Sequence, residues 1–222
     1  MPLRPDFYRG CLLLAGLLLS AGVLAEADRD RGLQLVNSFL TDVQTLTADF
    51  TQTLINPDGE VLETSKGTLA ISRPGKFRWV YTEPYEQWLV ADGLNIWSYD
   101  ADLSQVSVKG QAEALTDTPA LLLSGTGDVL EQFELTGSNV EGGLTWVRLQ
   151  PLRGDSGFKR VELAFSGTTI TRMVFFDNLE QTTIVTLDKV VENEPVDVTE
   201  FDFQVPDDVD VVGTPIRPVS GR

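Results

Sequence analysis

The 222-residue sequence contains no histidine and a single cysteine, Cys11. Those absences exclude Ser-His-Asp and Cys-His nucleophilic centres and the zinc sites built from His and Cys. Positive charge is scarce too. Lys and Arg number 17 against 33 Asp and Glu, for a net charge of −16 and a pI near 4.3. A chain of that sign is poorly suited to neutralising a phosphate backbone, so nucleic acid is not an expected partner. Carboxylates are the one abundant class able to do acid–base chemistry, as in a two-carboxylate glycosidase. Pairs such as Asp100 with Asp102, or Asp207 with Asp208, are too common at this composition to mark a site. The expectation is a protein that is not an enzyme and needs no cofactor or metal.

What is present begins with an address. Arg4 and Arg9 form a basic start, an apolar run extends from Cys11 to Leu19, and Val23 and Ala25 occupy the −3 and −1 positions of a cleavage site. The run is shorter than the roughly 20 residues that span a bilayer, so residues 1–25 read as a cleaved secretory signal peptide rather than an anchor. Cys11 is not a lipidation site of the usual kind, because Tyr8-Arg9-Gly10 precede it where a small apolar run is required. The mature chain, 26–222, then has no cysteine and a net charge of −17. It reads as one domain with a mobile tail over about 213–222.

Residues 28–45 place Leu35, Val36, Phe39, Leu40 and Val43 at helical spacing, with Asp28 and Asp30 near the start where the helix dipole favours negative charge. From Leu46 the period changes to two. Alternating segments follow one another to about Lys109, separated by turns at Asn56-Pro57-Asp58-Gly59, Arg73-Pro74-Gly75-Lys76 and Asp92-Gly93. Residues 116–131 interrupt the alternation with Leu121-Leu122-Leu123 after Thr118-Pro119, which reads as a short apolar helix. Five more strands follow up to about Val191, and FDFQV near residue 201 reads as an edge strand.

The fold class is therefore mainly β (α+β). About ten strands make a large antiparallel sheet that must curl, because open sheets of this size rarely stay flat. Several strands carry apolar residues on both faces, among them Phe77, Trp79 and Tyr81 opposite Val80. Two readings stand: a core face with scattered surface apolars, or a sheet lining an apolar cavity with the helices as its cover.

The string ISRPGKFRWVYTEPYEQWLVADGLNIWSYD, residues 71–100, resembles the signature region of the periplasmic outer-membrane lipoprotein carriers, the LolA family. The opening helix running into LTADFTQT, the central TPALLL and the closing FDFQVPDDVDVV extend the resemblance from about Leu33 to Val212. It implies an open half-barrel of about ten to eleven antiparallel strands, with a helical lid over an apolar cavity that receives acyl chains. The implied partners are acylated lipoproteins, an inner-membrane ABC-type releasing complex and an outer-membrane receptor of the LolB type. The implied setting is the periplasm and the implied state a monomer. A carrier of another amphiphile on the same scaffold is the alternative.

The resemblance also implies roles for particular residues. Arg73 matches a latch arginine that would hold carbonyls of the lid, those of Leu40, Leu123 and Ser124; by itself, Arg73 is equally the first position of an exposed turn. Phe50, Trp79, Leu121 and Leu122 would line the cavity or lid, and Phe77 would contact the releasing complex, ordinary core packing being the other reading of these aromatics. Ala120 and Ser124-Gly125 make this lid segment smaller than the family's bulkier ones.

Overall fold

The computed structural model describes residues 29–114, 129–153 and 157–217. Helix α1 covers residues 29–41 and leads into twelve strands. The first six are β1 (Thr45–Ile55), β2 (Val61–Ser72), β3 (Lys76–Glu83), β4 (Gln87–Asp92), β5 (Asn95–Asp100) and β6 (Gln105–Gly110). A helical turn, Gln111–Ala114, follows. The chain continues with β7 (Phe133–Glu141), β8 (Leu144–Pro151), β9 (Phe158–Ser166), β10 (Thr169–Asp177), β11 (Thr182–Glu192) and β12 (Asp210–Val212).

All twelve join one open sheet, in the order β12-β6-β5-β4-β3-β2-β1-β11-β10-β9-β8-β7. Eleven strands form the expected antiparallel succession. The twelfth differs from expectation in place and direction: FDFQV is not a strand, and β12 instead pairs parallel to β6, Val211 opposite Val106. Phe201 ends a single 3-10 turn, Val198–Phe201, capped by the Asp197 side chain, and is fully buried. The physical reason is a competing site for its aromatics. Glu200 pairs with Arg78 at 2.6 Å, and Phe203 stacks on Trp97 at 5.2 Å. The C-terminal segment thereby covers the convex face of β3 to β5, which accounts for much of the apolar character on the second face of these strands. Ile216, within the tail read as mobile, exchanges two hydrogen bonds with the Asn95 side chain, at 2.7 and 3.0 Å.

The main core lies on the concave face. Alternate residues of the strands point there, including Leu46, Ala48 and Phe50 on β1, Leu69 and Ile71 on β2, and Phe77 and Trp79 on β3. Helix α1 lies across this face with Gly32, Leu35, Val36 and Phe39 buried at i, i+3, i+4 and i+7. Its two ends meet β9 and β7, which lie two positions apart in the sheet. Phe39 meets Phe165 of β9 edge-on at 6.2 Å, and a Cβ on Gly32 would lie 2.7 Å from Cβ of Ser138 on β7.

Candidate functional site

The C-terminal end of α1 carries the densest polar arrangement on the concave side. A helix leaves its last carbonyls without intrahelical donors, and here six carbonyls at and just past that end, between Asn37 and Val43, are answered. Asn37 O accepts from the Thr41 hydroxyl at 2.9 Å, and Ser38 O from the Asp42 N–H at 2.8 Å. Thr41 O accepts from the Gln44 side chain at 2.7 Å, and Asp42 O from the Asn193 side chain at 3.1 Å. The remaining two, Phe39 O and Val43 O, both accept from Nη1 of Arg73, the latter at 2.8 Å.

Arg73 stands where β2 ends. Its backbone N–H donates to Gln44 O at 2.8 Å, and Gly75 supplies the positive φ of 81° that the Arg-Pro-Gly-Lys turn requires. Buried Gln111 braces this turn, donating to Gly75 O at 2.6 Å and accepting from Gly93 N–H at 3.0 Å. Arg73 is 9% exposed, and its guanidinium carbon lies 4.6 Å from the centre of the Phe39 ring. Burial pushes it down to about 10, with Glu192 acting in the opposite direction. It therefore stays charged at neutral pH, and a cation at the negative end of a helix dipole is favourably placed.

Arg73 thus bonds the carbonyls of Phe39 and Val43, on either side of Leu40, the acceptor implied by resemblance. Leu40 itself packs half-buried against the core. Leu121, Leu122, Leu123 and Ser124 lie outside the described residues. Phe50 and Trp79 come together beneath α1, with ring centres 4.4 Å apart and Tyr81 edge-on to Phe50 at 5.2 Å. Phe77 is placed differently from expectation. It has no solvent exposure, because the strand alternation that carries Trp79 inward carries Phe77 with it. In this arrangement it presents no surface to a partner.

Beyond the aromatic cluster the concave face turns polar. Gln52, Glu63, Ser65, Tyr81, Glu83 and Gln87 line a recess of about 210 Å³, where the Tyr81 hydroxyl meets Gln52 at 3.1 Å. The surface therefore grades from apolar under the helix to hydrogen-bonding at its far end. Among the described residues, no group of three carboxylates converges as a metal site would require.

Two residues at the helix end have no place in the sequence reading. Asn193, just past β11, holds a φ of 61°, accepts from Gln44 N–H at 2.8 Å and donates to Asp42 O. Glu192 precedes it, opposite Leu46 of β1. Burial pushes the Glu192 carboxyl up, opposed by the Ile170 N–H and the Arg73 charge. A sequence signal for them exists: inward apolar residues run Val185, Leu187 and then Val190, a break in the two-residue period, and Asn is a residue that tolerates positive φ.

Known proteins share this plan. The family model described as outer membrane lipoprotein carrier protein LolA matches residues 41–204. An outer-membrane lipoprotein carrier protein of Dechloromonas aromatica is 38% identical over 203 residues, covering 91% of this chain and 93% of the relative. One from Azotobacter vinelandii is 38% identical over 201 residues, covering 88% and 96%. Among solved structures, an uncharacterized conserved protein of Thermus thermophilus superposes with a TM-score of 0.51 at 15% identity, covering 82% of this chain and 97% of that one. The match thus takes in both the Arg73 turn and the strand that ends at Glu192, and the chain belongs to the LolA family of outer membrane lipoprotein carrier proteins.

Proposed function

We propose that this chain carries acylated lipoproteins through the periplasm, taking them from an inner-membrane ABC-type releasing complex and passing them to an outer-membrane receptor of the LolB type. Export through the cleaved leader of residues 1–25 places it there. The observation that carries the reading is an apolar concave face covered by a helix whose end is held by one buried arginine, in a chain of this family.

The magnitudes suit a handover. An acyl chain of about 15 methylenes gains on the order of 12 kcal/mol from leaving water, at about 0.8 kcal/mol each. Lifting α1 exposes Leu35, Val36, Phe39 and Val43, four side chains at about 1.5–3 kcal/mol apiece. The two quantities are of one size, so cargo displaces the helix without being held irreversibly. Arg73 sets the balance by adding to the closed side. Leu121, Leu122, Leu123 and Ser124 complete the cover in this proposal, Phe50 and Trp79 receive the chains, and Phe77 becomes reachable by a partner once the cover lifts.

The test is to express the chain with its own leader in a Gram-negative host, purify it from the periplasm without detergent, and record native mass spectra followed by lipid extraction. Co-purified acylated protein is the expected result. A bound free lipid alone would point to a carrier of another amphiphile, and a bare chain that also refuses lipoprotein from the releasing complex would refute the proposal.

A further inference from the structure

Between Thr47 opposite Val191 and Asp49 opposite Asp188, strand β11 contains one residue more than β1. The extra residue makes a β-bulge, and Lys189 takes a φ of 51° there, rarely adopted by a non-glycine residue. Lys189 is fixed on the outer face by an ion pair with Asp49 at 2.7 Å. The bulge has one clear effect on facing. Strict alternation from inward Leu187 would send residues 190 and 192 outward; instead Val190 packs against the core, and Glu192 lies opposite buried Leu46 on the concave side. A local conformation of low intrinsic preference therefore aims a carboxylate beneath the end of α1. There its Oε1 is buried with no hydrogen-bond partner, an unfavourable state unless another arrangement uses that oxygen.

We propose that Glu192 is the second station of the latch: when α1 lifts and takes the Phe39 and Val43 carbonyls away, the Arg73 guanidinium turns to the Glu192 carboxylate, so that Glu192 positions Arg73 in the open state. This rests on the latch reading of Arg73. It supplies what a one-sided latch lacks, a carboxylate on the sheet side to which the buried cation can turn as the Phe39 and Val43 carbonyls leave. The pairing is charge-assisted and suited to the planar guanidinium fork. Arg73 is the charged group that acts on Glu192, from the β2–β3 turn; the other influence is the Ile170 N–H of β10. Leu46 of β1, Phe39 of α1 and Val43 just after α1 present apolar side chains to this core.

The test uses the full mature chain, a tripalmitoylated cysteinyl peptide as probe, and hydrogen exchange of the α1 amides as the measure of opening. Glu192→Gln keeps the size of the side chain and removes its charge. It is expected to slow α1 exchange and to weaken lipopeptide binding about tenfold, the scale of one hydrogen bond to a charged group. Its binding should also lose the dependence on pH above 4.5 expected of the parent, while Glu192→Asp restores part of both. Faster exchange in Glu192→Gln would overturn the proposal, because it would make Glu192 a support of the closed state; unchanged exchange would overturn it as well. Arg73→Leu separates the two readings. If that variant leaves α1 exchange unaltered, the latch itself has failed; if it speeds exchange while Glu192→Gln does nothing, only the second station has. In the double variant the Glu192 effect should vanish, since the guanidinium it serves is gone.

Discussion

The guanidinium of Arg73 and the carbonyl of Val43 meet at 2.8 Å across the gap between a strand end and a helix end. Thirty residues of chain separate them, so the contact is a statement about how α1 is seated and not about local turn geometry. Replacing Arg73 with Leu removes both helix-end bonds and the cation over Phe39. The closed arrangement then loses stability relative to the loaded one. Lipoprotein should still be accepted from the releasing complex, but its transfer to the receptor should fall about tenfold or more, on the scale of hydrogen bonds from a charged donor. Arg73→Lys should restore little, because a single ammonium lacks the planar fork. Transfer of labelled lipoprotein between purified carrier and receptor measures this, and normal transfer by Arg73→Leu would remove the latch role.

The other end of the helix offers an independent handle. At Gly32 an added Cβ would lie 2.7 Å from Cβ and 2.8 Å from Oγ of Ser138, and 3.3 Å from a methyl of Val147. Alanine is the better helix former by about 1 kcal/mol, so propensity alone predicts stabilisation. Sterics should win, because the neighbours are short side chains fixed on a sheet, and overpacking of this kind costs about 1–3 kcal/mol. Gly32→Ala is expected to lower the melting temperature and raise binding of an apolar dye to the uncovered face. A higher melting temperature with unchanged dye binding would show that α1 is free to shift there.

Much of this arrangement was legible beforehand, for physical reasons that differ by element. Helix α1 was visible because Leu35, Val36 and Phe39 bury one face of a 3.6-residue period, and the strands because each half-buried segment alternates. The Arg73 turn announced itself through Pro74 and Gly75. The segment FDFQV misled because it alternates like a strand, whereas Trp97 and Arg78, which hold its Phe203 and the preceding Glu200, are remote in sequence. Glu192 was hidden by the bulge, which exchanges the two faces within three residues and is signalled only by the irregular spacing of Leu187 and Val190. Asn193 was hidden for another reason: its partners Asp42 and Gln44 are about 150 positions away.

Asn193 combines a backbone and a side-chain role that two substitutions can separate. Its φ is 61°, and its amide makes both a donor and an acceptor bond to the segment joining α1 to β1. Glycine keeps the backbone conformation and removes the two bonds; alanine removes the bonds and resists the conformation. Each lost bond is worth about 0.5–1.5 kcal/mol, and the positive φ adds roughly 1 kcal/mol for alanine. Asn193→Ala should therefore be less stable than Asn193→Gly, with both below the parent, in urea unfolding. Equal midpoints for the two would show that the backbone conformation costs nothing here.

Two carboxyls give the folded chain opposite responses to acid. Burial of Asp92 acts to raise its affinity for a proton, yet hydrogen bonds from the Trp97 indole, the Asn95 and Leu94 N–H groups and the Asn95 side chain hold it below the ordinary value. A depressed carboxyl stabilises the fold above its unfolded value of 3.8, and that contribution disappears as pH falls through the lower folded value. Glu192 is raised above 4.5, so the folded state takes up its proton first. Its contribution thus grows as pH falls from neutral towards 4.5. Relief of charge repulsion in a chain of net −16 runs the same way, so the signal must be read as a difference between variants. The gap in stability between the parent and Glu192→Gln should change between neutral pH and 4.5 and then level off. The gap between the parent and Asp92→Asn should instead be full at neutral pH and close below 3.8. Thermal unfolding from pH 7 to 2 on the three proteins measures both, and an Asp92→Asn gap that stayed constant to pH 2 would mean that those hydrogen bonds do not favour the ionised form.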